Sequence, residues 1–473
     1  MTISETSGSG SLETRVPAAD LWSLPAVRQA FLQDRAVKNM RRKEKMKEYI
    51  LSGARVYMGG TFHRADVHVQ NGRFAAIARN LVAPAGVPVI SCTSYYIFPG
   101  LTDVHVHLRE PGFSYKATVK SETAAAARGG YTTVCAMPNL KPAPDSPETL
   151  EAELSIIRRD ASVHVLPYGT ITAGRAGEKL SDMEGLAPLV FGYSDDGSGV
   201  QSEALMEEAL RRAKAIGKPV CAHCEVGAPD GAIHDGEYAA AHGIPGISSE
   251  SEWEMIRRDI ELVRRTGAQY HVCHISTKES VDIIREAKRE GLPVTCETAP
   301  HYLVFTDASL KDEGAFRMNP PIRAERDREA LIEGILDGTI DMIATDHAPH
   351  SAEEKSGGLR NSVMGVVGLE TALSVMYTEF VRPGLITKRR LMALLHDNAK
   401  RIFGIGADIE IGAPADFTVF DPNPLAPVNT ADFRSAGKSS PFAGRGVFGR
   451  VMLTAVDGDI AWSETGFIPE SMH

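Results

Sequence analysis

Two histidines two residues apart, His105 and His107, lie in the run Asp103-Val104-His105-Val106-His107-Leu108-Arg109. If that run is a strand, its period of two puts both imidazoles on one face, where they can share one metal ion. The same chemistry recurs down the chain. It returns at Ser194-Asp195-Asp196-Gly197, at His223, at His271-Val272-Cys273-His274 and at Thr345-Asp346-His347-Ala348-Pro349-His350. A lone histidine is more often a satisfied core residue than a ligand, but five separate stretches of this kind are poorly explained that way. Imidazole together with carboxylate suits Zn²⁺, or a similar divalent ion, better than the oxygen-seeking Ca²⁺ or Mg²⁺. Four histidines with one or two aspartates exceed a single tetrahedral site, so two ions per chain sharing a carboxylate fit better, about 3.5–4 Å apart. A further carboxylate must move the proton, and Asp346, in the last stretch, is placed for that. The CxxC form Cys221-Ala222-His223-Cys224 has no second CxxC behind it, and buried core cysteines are the better reading there.

Groups so far apart in sequence need elements that deliver them to one place. Strand candidates are Gly100–His107, Tyr131–Met137, Val163–Gly169, Pro188–Ser194, Pro219–His223, Gln269–His274, Pro293–Glu297 and Asp341–Thr345. Between them, Ser202–Ile216, Glu252–Thr266, Ser280–Glu290 and Arg326–Leu336 carry helical spacing. Eight strands alternating with helices predict an α/β fold, a TIM-like (β/α)₈ barrel, whose strand C-terminal ends carry the chemistry. Two further helices are expected at Gly368–Val381 and Thr387–Phe403. Before the barrel, Tyr49–Met58, Phe62–Gln70, Arg73–Ala78 and Val87–Ser91 read as strands, with Gly59-Gly60 and Asn71-Gly72 as turns. After it, Asp416–Phe420 and Val451–Trp462 are β-like. The expected organisation is an extension over 1–47, partly disordered and partly helical; a small β-sandwich domain from 48–97 plus 404–465; and a barrel over 98–403. Leu24–Tyr49 reads as a helix ending in a basic, solvated run. Ser351–Ser362, polar and glycine-containing, reads as a mobile loop over the mouth.

Composition sets the bounds. The 473 residues are 43% hydrophobic and 24% charged, ordinary values for a chain that buries a large core, which excludes disorder for the bulk. Lys plus Arg is 51 and Asp plus Glu is 61, a net charge of −10 that argues against a nucleic-acid-binding surface. No apolar run of membrane-spanning length and no secretory signal are visible, and 6 Cys is sparse. A cytoplasmic protein with reduced thiols is expected.

The stretches Phe98–Gly112, Ala125–Thr133, Met137-Pro138-Asn139, Ser194–Gly197, Ala222–Glu225, His271–Ser280, Met318–Pro321 and Ile343–His350 together resemble the amidohydrolase superfamily, and within it the bacterial class I dihydroorotases. The likeness runs from about residue 50 to 465 and omits 1–47. It implies that His105 and His107 bind one metal and His223 and His274 another. Asp196 would bridge them, because the family pattern uses the second aspartate; the sequence alone does not separate it from Asp195. Asp346 would be the general base and acid, and is counted with the metal ligands. Arg109, Asn139 and His350 would hold the substrate carboxylate and ring, with His107, Asn319 and the Met364-Gly365 backbone beside them. Asp103, of the same parity as His105, would support it.

Many relatives bridge their metals with a carboxylated lysine, and no lysine lies between Phe191 and Gly199. That departure fits the class I dihydroorotases and counts against hydantoinase and dihydropyrimidinase. The implied reaction is reversible hydrolysis of dihydroorotate to N-carbamoyl-L-aspartate, in pyrimidine biosynthesis. The implied partners are the small-molecule substrate, a second copy of the chain as a homodimer, and aspartate carbamoyltransferase. The alternatives are another cyclic amidase such as allantoinase, or a non-catalytic assembly partner. Arg109 separates the first of these, since a substrate lacking a carboxylate has no use for a buried cation there. The full ligand set argues against the second.

Overall fold

The computed structural model describes residues 48–227 and 230–468. The expected extension and most of the Leu24–Tyr49 helix lie outside the described residues; Glu48 and Tyr49, its last two residues, instead open a strand. Early strands form at β1 Glu48–Met58, β2 Thr61–Gln70, β3 Arg73–Ala78, β4 Val89–Ser91 and β5 Tyr96–Pro99. Asn71 and Gly72 both have positive φ, as a type I′ hairpin turn requires, so β2 and β3 pair antiparallel across it.

The chain then enters β6 Leu101–Val106 through Gly100. A Cβ there would lie 1.9 Å from Thr132 Oγ1, so only glycine passes. Further parallel strands are β7 Tyr131–Ala136, β8 His164–Pro167, β9 Val220–Ala222, the short pair β10 Ile233–His234 and β11 Gly246–Ile247, then β12 Tyr270–Val272, β13 Val294–Thr298 and β14 Met342–Ile343. The order β6-β7-β8 makes one sheet and β14-β13-β12-β9 another. The expected strand Pro188–Ser194 reduces to Tyr193, which bridges Gly169 on one side and Val220 on the other. Pro188 has no N–H to give a ladder, and the pairing hydrogen bonds start only at Phe191 N, 2.8 Å from Pro167 O. At the far edge Val106 bridges His347, with His107 N 2.8 Å from His347 O.

Helices cover these sheets, each for a local reason. Lys278–Arg289 starts at Thr277, whose hydroxyl caps Ser280 N, and buries the stripe Val281, Ile284 and Ala287. Glu250–Thr266 buries Met255, Ile256, Ile260 and Val263 in the same way. The two late helices are less regular than expected. Ala372–Met376 passes into a π-helical turn at Tyr377–Val381, and Lys388–Met392 and Asn398–Phe403 flank another at Ala393–Asp397.

The C-terminal strands are β15 Phe417–Pro427, β16 Gly446–Val456 and β17 Asp459–Ser463. The stretch expected as one piece over Val451–Trp462 is split by Asp457 and Gly458, both with positive φ, another tight hairpin turn. β15 pairs antiparallel with β5, so the early and late strands of the described residues share one eight-stranded sheet, ordered β17-β16-β15-β5-β1-β2-β3 with β4 on β1. Its core interleaves Leu51, Val56, Val67 and Phe74 with Phe417, Val419 and Leu453. All six cysteines, Cys221 and Cys224 included, are buried free thiols. No helix among the described residues is long and apolar enough to cross a membrane.

Candidate active site

The C-terminal ends of the parallel strands converge. His105, His107, Asp196, His223, His274 and Asp346 are all buried, although they lie up to 241 positions apart. Asp196 Oδ1 lies 3.3 Å from His105 Nε2, 3.5 Å from His274 Nε2 and 3.8 Å from His223 Nδ1. Its Oδ2 lies 3.5 Å from His107 Nε2. Asp346 Oδ1 lies 3.1 Å from His107 Nε2 and 3.4 Å from His105 Nε2, and His223 Nδ1 is 3.0 Å from His274 Nε2.

These spacings fit a divalent cation. Donors held about 2.0–2.1 Å from a tetrahedral ion stand about 3.3 Å from one another. In two triads, His105 with Asp196 and His274, and His105 with His107 and Asp346, the ligand atoms all lie within 4.8 Å of one another. His105 Nε2 and Asp196 Oδ1 are also buried without a hydrogen-bond partner, a costly arrangement unless a cation satisfies them.

The charge states of the two aspartates and of His107 fit a cation. Burial pushes the carboxyl groups of Asp196 and Asp346 upward, but the facing imidazoles outweigh it and hold both well below the usual carboxylate range. His107 moves the other way, down to about 4, by burial and the nearby Arg109 charge, so it is a neutral imidazole with a lone pair to give. Three residues of the site, Arg109, His274 and Asp346, have φ of 66°, 33° and 45°. Such strain costs about 1–3 kcal/mol each and persists where the surroundings over-determine the backbone.

The structure separates Asp195 from Asp196. Asp195 turns away, accepting from Ile171 N at 2.8 Å and from the backbone and hydroxyl of Thr172. The Asp196 backbone carbonyl is fixed by Asn139 Nδ2 at 2.8 Å and by Arg175 Nη2. Asn139 Oδ1 is buried and unpartnered, an acceptor left over.

Asp103 supports His105 through its backbone rather than its ring. Its carboxylate accepts from His105 N at 3.0 Å, and from Thr345 N at 3.1 Å and Thr345 Oγ1 at 2.7 Å, tying β6 to the segment after β14. The ring is held by Glu297, at the end of β13. Glu297 Oε1 lies 3.0 Å from His105 Nδ1, and its Oε2 lies 3.2 Å from His271 Nε2. Burial would raise the Glu297 carboxyl, but those two histidines bring it down to about 2. A carboxylate only accepts, so His105 donates its Nδ1–H to Glu297. Burial would lower the ring, but the Asp196 and Glu297 carboxylates outweigh it and raise the ring well above its ordinary value, and a cation bound at Nε2 would take the place of the proton there. Glu225 behaves similarly: its Oε2 is 3.5 Å from His223 Nε2, and its Oε1 accepts from Asn319 Nδ2 at 2.8 Å. Asn319, expected at the substrate, is thus engaged with Glu225. Glu225 and Glu297 escaped the sequence reading, although Glu297 ends a candidate strand and so carried the signal used for the other ligands. Glu297→Gln is expected to weaken metal binding about 10–100-fold, read as residual metal against graded chelator.

Beside this cluster, Arg109 Nε donates to Pro349 O at 3.1 Å, and its Nη2 lies 3.2 Å from His350 Nε2. Burial, with the charges of Arg109 and Lys116, lowers His350 to about 3, so the ring is neutral and accepts from the guanidinium. That leaves most of the five guanidinium N–H groups for a planar anion. Gly365 lies against the same ring: a Cβ there would be 2.9 Å from His350 Nε2 and 2.8 Å from Ala348 Cβ. Met364, next to it, is half-buried. His347 faces elsewhere, 2.6 Å from Glu122.

Residues 95–280 match a family model described as dihydro-orotase-like. A dihydroorotase of Anoxybacillus flavithermus is 46% identical over 410 residues, covering 86% of this chain and 96% of the relative. A dihydroorotase of Enterococcus faecalis is 44% identical, covering 89% and 99%. Among solved structures, the L-hydantoinase (dihydropyrimidinase) from Arthrobacter aurescens superposes with a TM-score of 0.79 at 24% identity, covering 88% of this chain and 96% of that one.

Proposed function

The chain belongs to the dihydroorotase family, and from that premise we propose that it catalyses the reversible hydrolysis of dihydroorotate to N-carbamoyl-L-aspartate. The observation that carries the reading is Arg109, buried and hydrogen-bonded to His350 beside a histidine–aspartate cluster. A carboxylated ring fits that pairing, and a ring without a carboxylate does not.

His105, His107, Asp196 and Asp346 would hold one Zn²⁺, and Asp196, His223 and His274 a second. Bound there, the ions supply polarisation of the amide carbonyl and acidification of water. Arg109 takes the substrate carboxylate as a two-pronged fork, with His350 aligning it. Asn139 Oδ1 accepts a ring N–H, and the Met364-Gly365 backbone lines the other side. Asp346 accepts the proton of the attacking water as its oxygen bonds to the ring carbonyl carbon. When the C–N bond breaks, the same carboxyl returns that proton to the leaving nitrogen. Asn319 acts through Glu225 on His223.

Two parallel sheets joined through Tyr193 and through Val106 with His347 support a closed (β/α)₈ barrel over 98–403. The terminal sheet supports a small β-sandwich domain over 48–97 plus 404–465. A cytoplasmic location, a homodimer and association with aspartate carbamoyltransferase complete the reading; size-exclusion chromatography, alone and with that partner, tests the last two.

Purified, metal-loaded protein assayed side by side on dihydroorotate, allantoin and hydantoin tests the function. Turnover of dihydroorotate alone is expected. Arg109→Lys keeps the charge but loses the fork, and should raise KM for dihydroorotate about tenfold or more. An unchanged KM would mean that the carboxylate is held elsewhere, and turnover of allantoin instead would overturn the reading.

A further inference from the structure

Lys355 lies in the Ser351–Ser362 segment, which the sequence reads as a mobile loop. The structure ties that segment down. Leu359 is fully buried, and its N–H donates to Asp312 Oδ1 at 2.9 Å. Lys355 itself is half-buried and turns inward. Its Nζ donates to three main-chain carbonyls: Arg317 O at 3.0 Å, Val363 O at 2.7 Å and Gly365 O at 2.7 Å. An ammonium has three protons, so this set is complete. Gly365 N closes the arrangement by donating to Arg317 O at 3.1 Å.

We infer that Lys355 is a positioning residue for the dihydroorotate site: it pins the Val363–Gly365 backbone against His350, and through His350 sets the place of Arg109. The inference rests on the reading given under Proposed function. The route is short and physical. Gly365 packs on the His350 ring closely enough to exclude a Cβ, and His350 Nε2 is the acceptor for Arg109 Nη2. Freeing the Gly365 carbonyl lets that backbone drift, and the ring and guanidinium lose their stop. Burial and the Arg317 charge lower the amine to about 7.

The test is steady-state kinetics of metal-loaded full-length Lys355→Met and Lys355→Gln, in both reaction directions, with metal content and Tm measured alongside. KM for dihydroorotate and for N-carbamoyl-aspartate should rise about tenfold, while kcat changes by less than about threefold and metal content stays at the wild-type level. Trypsin and a glutamate-specific protease should cut the Ser351–Ser362 segment faster in both variants. An unchanged KM in a folded variant, a fall in kcat at constant KM, or a loss of folding in both variants would overturn the inference. Wild-type protein inactive on dihydroorotate would instead sink the function on which it rests.

Discussion

Replacing Asp346 by Asn is expected to leave metal content unchanged and to lower kcat by about 10²–10⁴. Asp346 Oδ1 sits 3.1 Å from His107 Nε2 and 3.4 Å from His105 Nε2, at the edge of the cluster rather than at its centre. The other donors, with Asp196 between the two histidine pairs, suffice to hold the ions. Asparagine keeps the shape and one oxygen donor but cannot take a proton from water and return it to the ring nitrogen. The facing histidines hold the Asp346 carboxyl below the usual range, so it is ionised throughout the neutral region and its loss should be felt at every pH where the enzyme works. Metal analysis and kcat on the same preparation decide the matter. Near-normal turnover would remove Asp346 from the proton path, and a loss of metal would make it chiefly a ligand.

Asp196→Asn is expected to act the other way, stripping metal first and activity with it. This single carboxylate faces all four histidines, with Oδ1 toward His105, His223 and His274 and Oδ2 toward His107. Losing its charge removes a carboxylate that lies within 4 Å of both pairs. The drop in metal affinity should exceed the roughly 100-fold upper end expected for a hydrogen-bond partner of a ligand. Asp195→Asn is the natural control. Asp195 accepts from the Ile171 and Thr172 backbone, so its loss should lower Tm while leaving metal bound. If Asp195→Asn lost the metal and Asp196→Asn kept it, the assignment of the two neighbours would be reversed.

Much of this protein was readable from its residues. The period-two spacing of His105 and His107 needs only an extended backbone to put both rings on one face. The early strands fall within two residues of where Gly59-Gly60 and Asn71-Gly72 place their turns, because hairpin turns with positive φ are a local property of glycine and asparagine. Helices such as Lys278–Arg289 announce themselves by a capping threonine and an apolar stripe, again local signals. The Pro188–Ser194 strand was less legible, because a proline-led run can look extended without having a ladder to join.

What the sequence by itself determined was the set of chemical groups and the order in which strands deliver them: imidazoles and carboxylates at the ends of alternating strands, and a cation for an anionic substrate. Only the tertiary structure decided which group faces which. Asp195 and Asp196 are the same residue type one position apart. Packing against Thr172 takes one and leaves the other to the histidines. Glu297 rather than Asp103 holds the His105 ring, since a contact between residues 192 positions apart depends on how the strands sit side by side. The three carbonyls around Lys355 arise in the same way, from segments 38 residues apart at Arg317 and 8 to 10 apart at Val363 and Gly365. A hydrogen bond has a reach of about 3 Å, and no pattern along a chain states which distant atoms will fall within it.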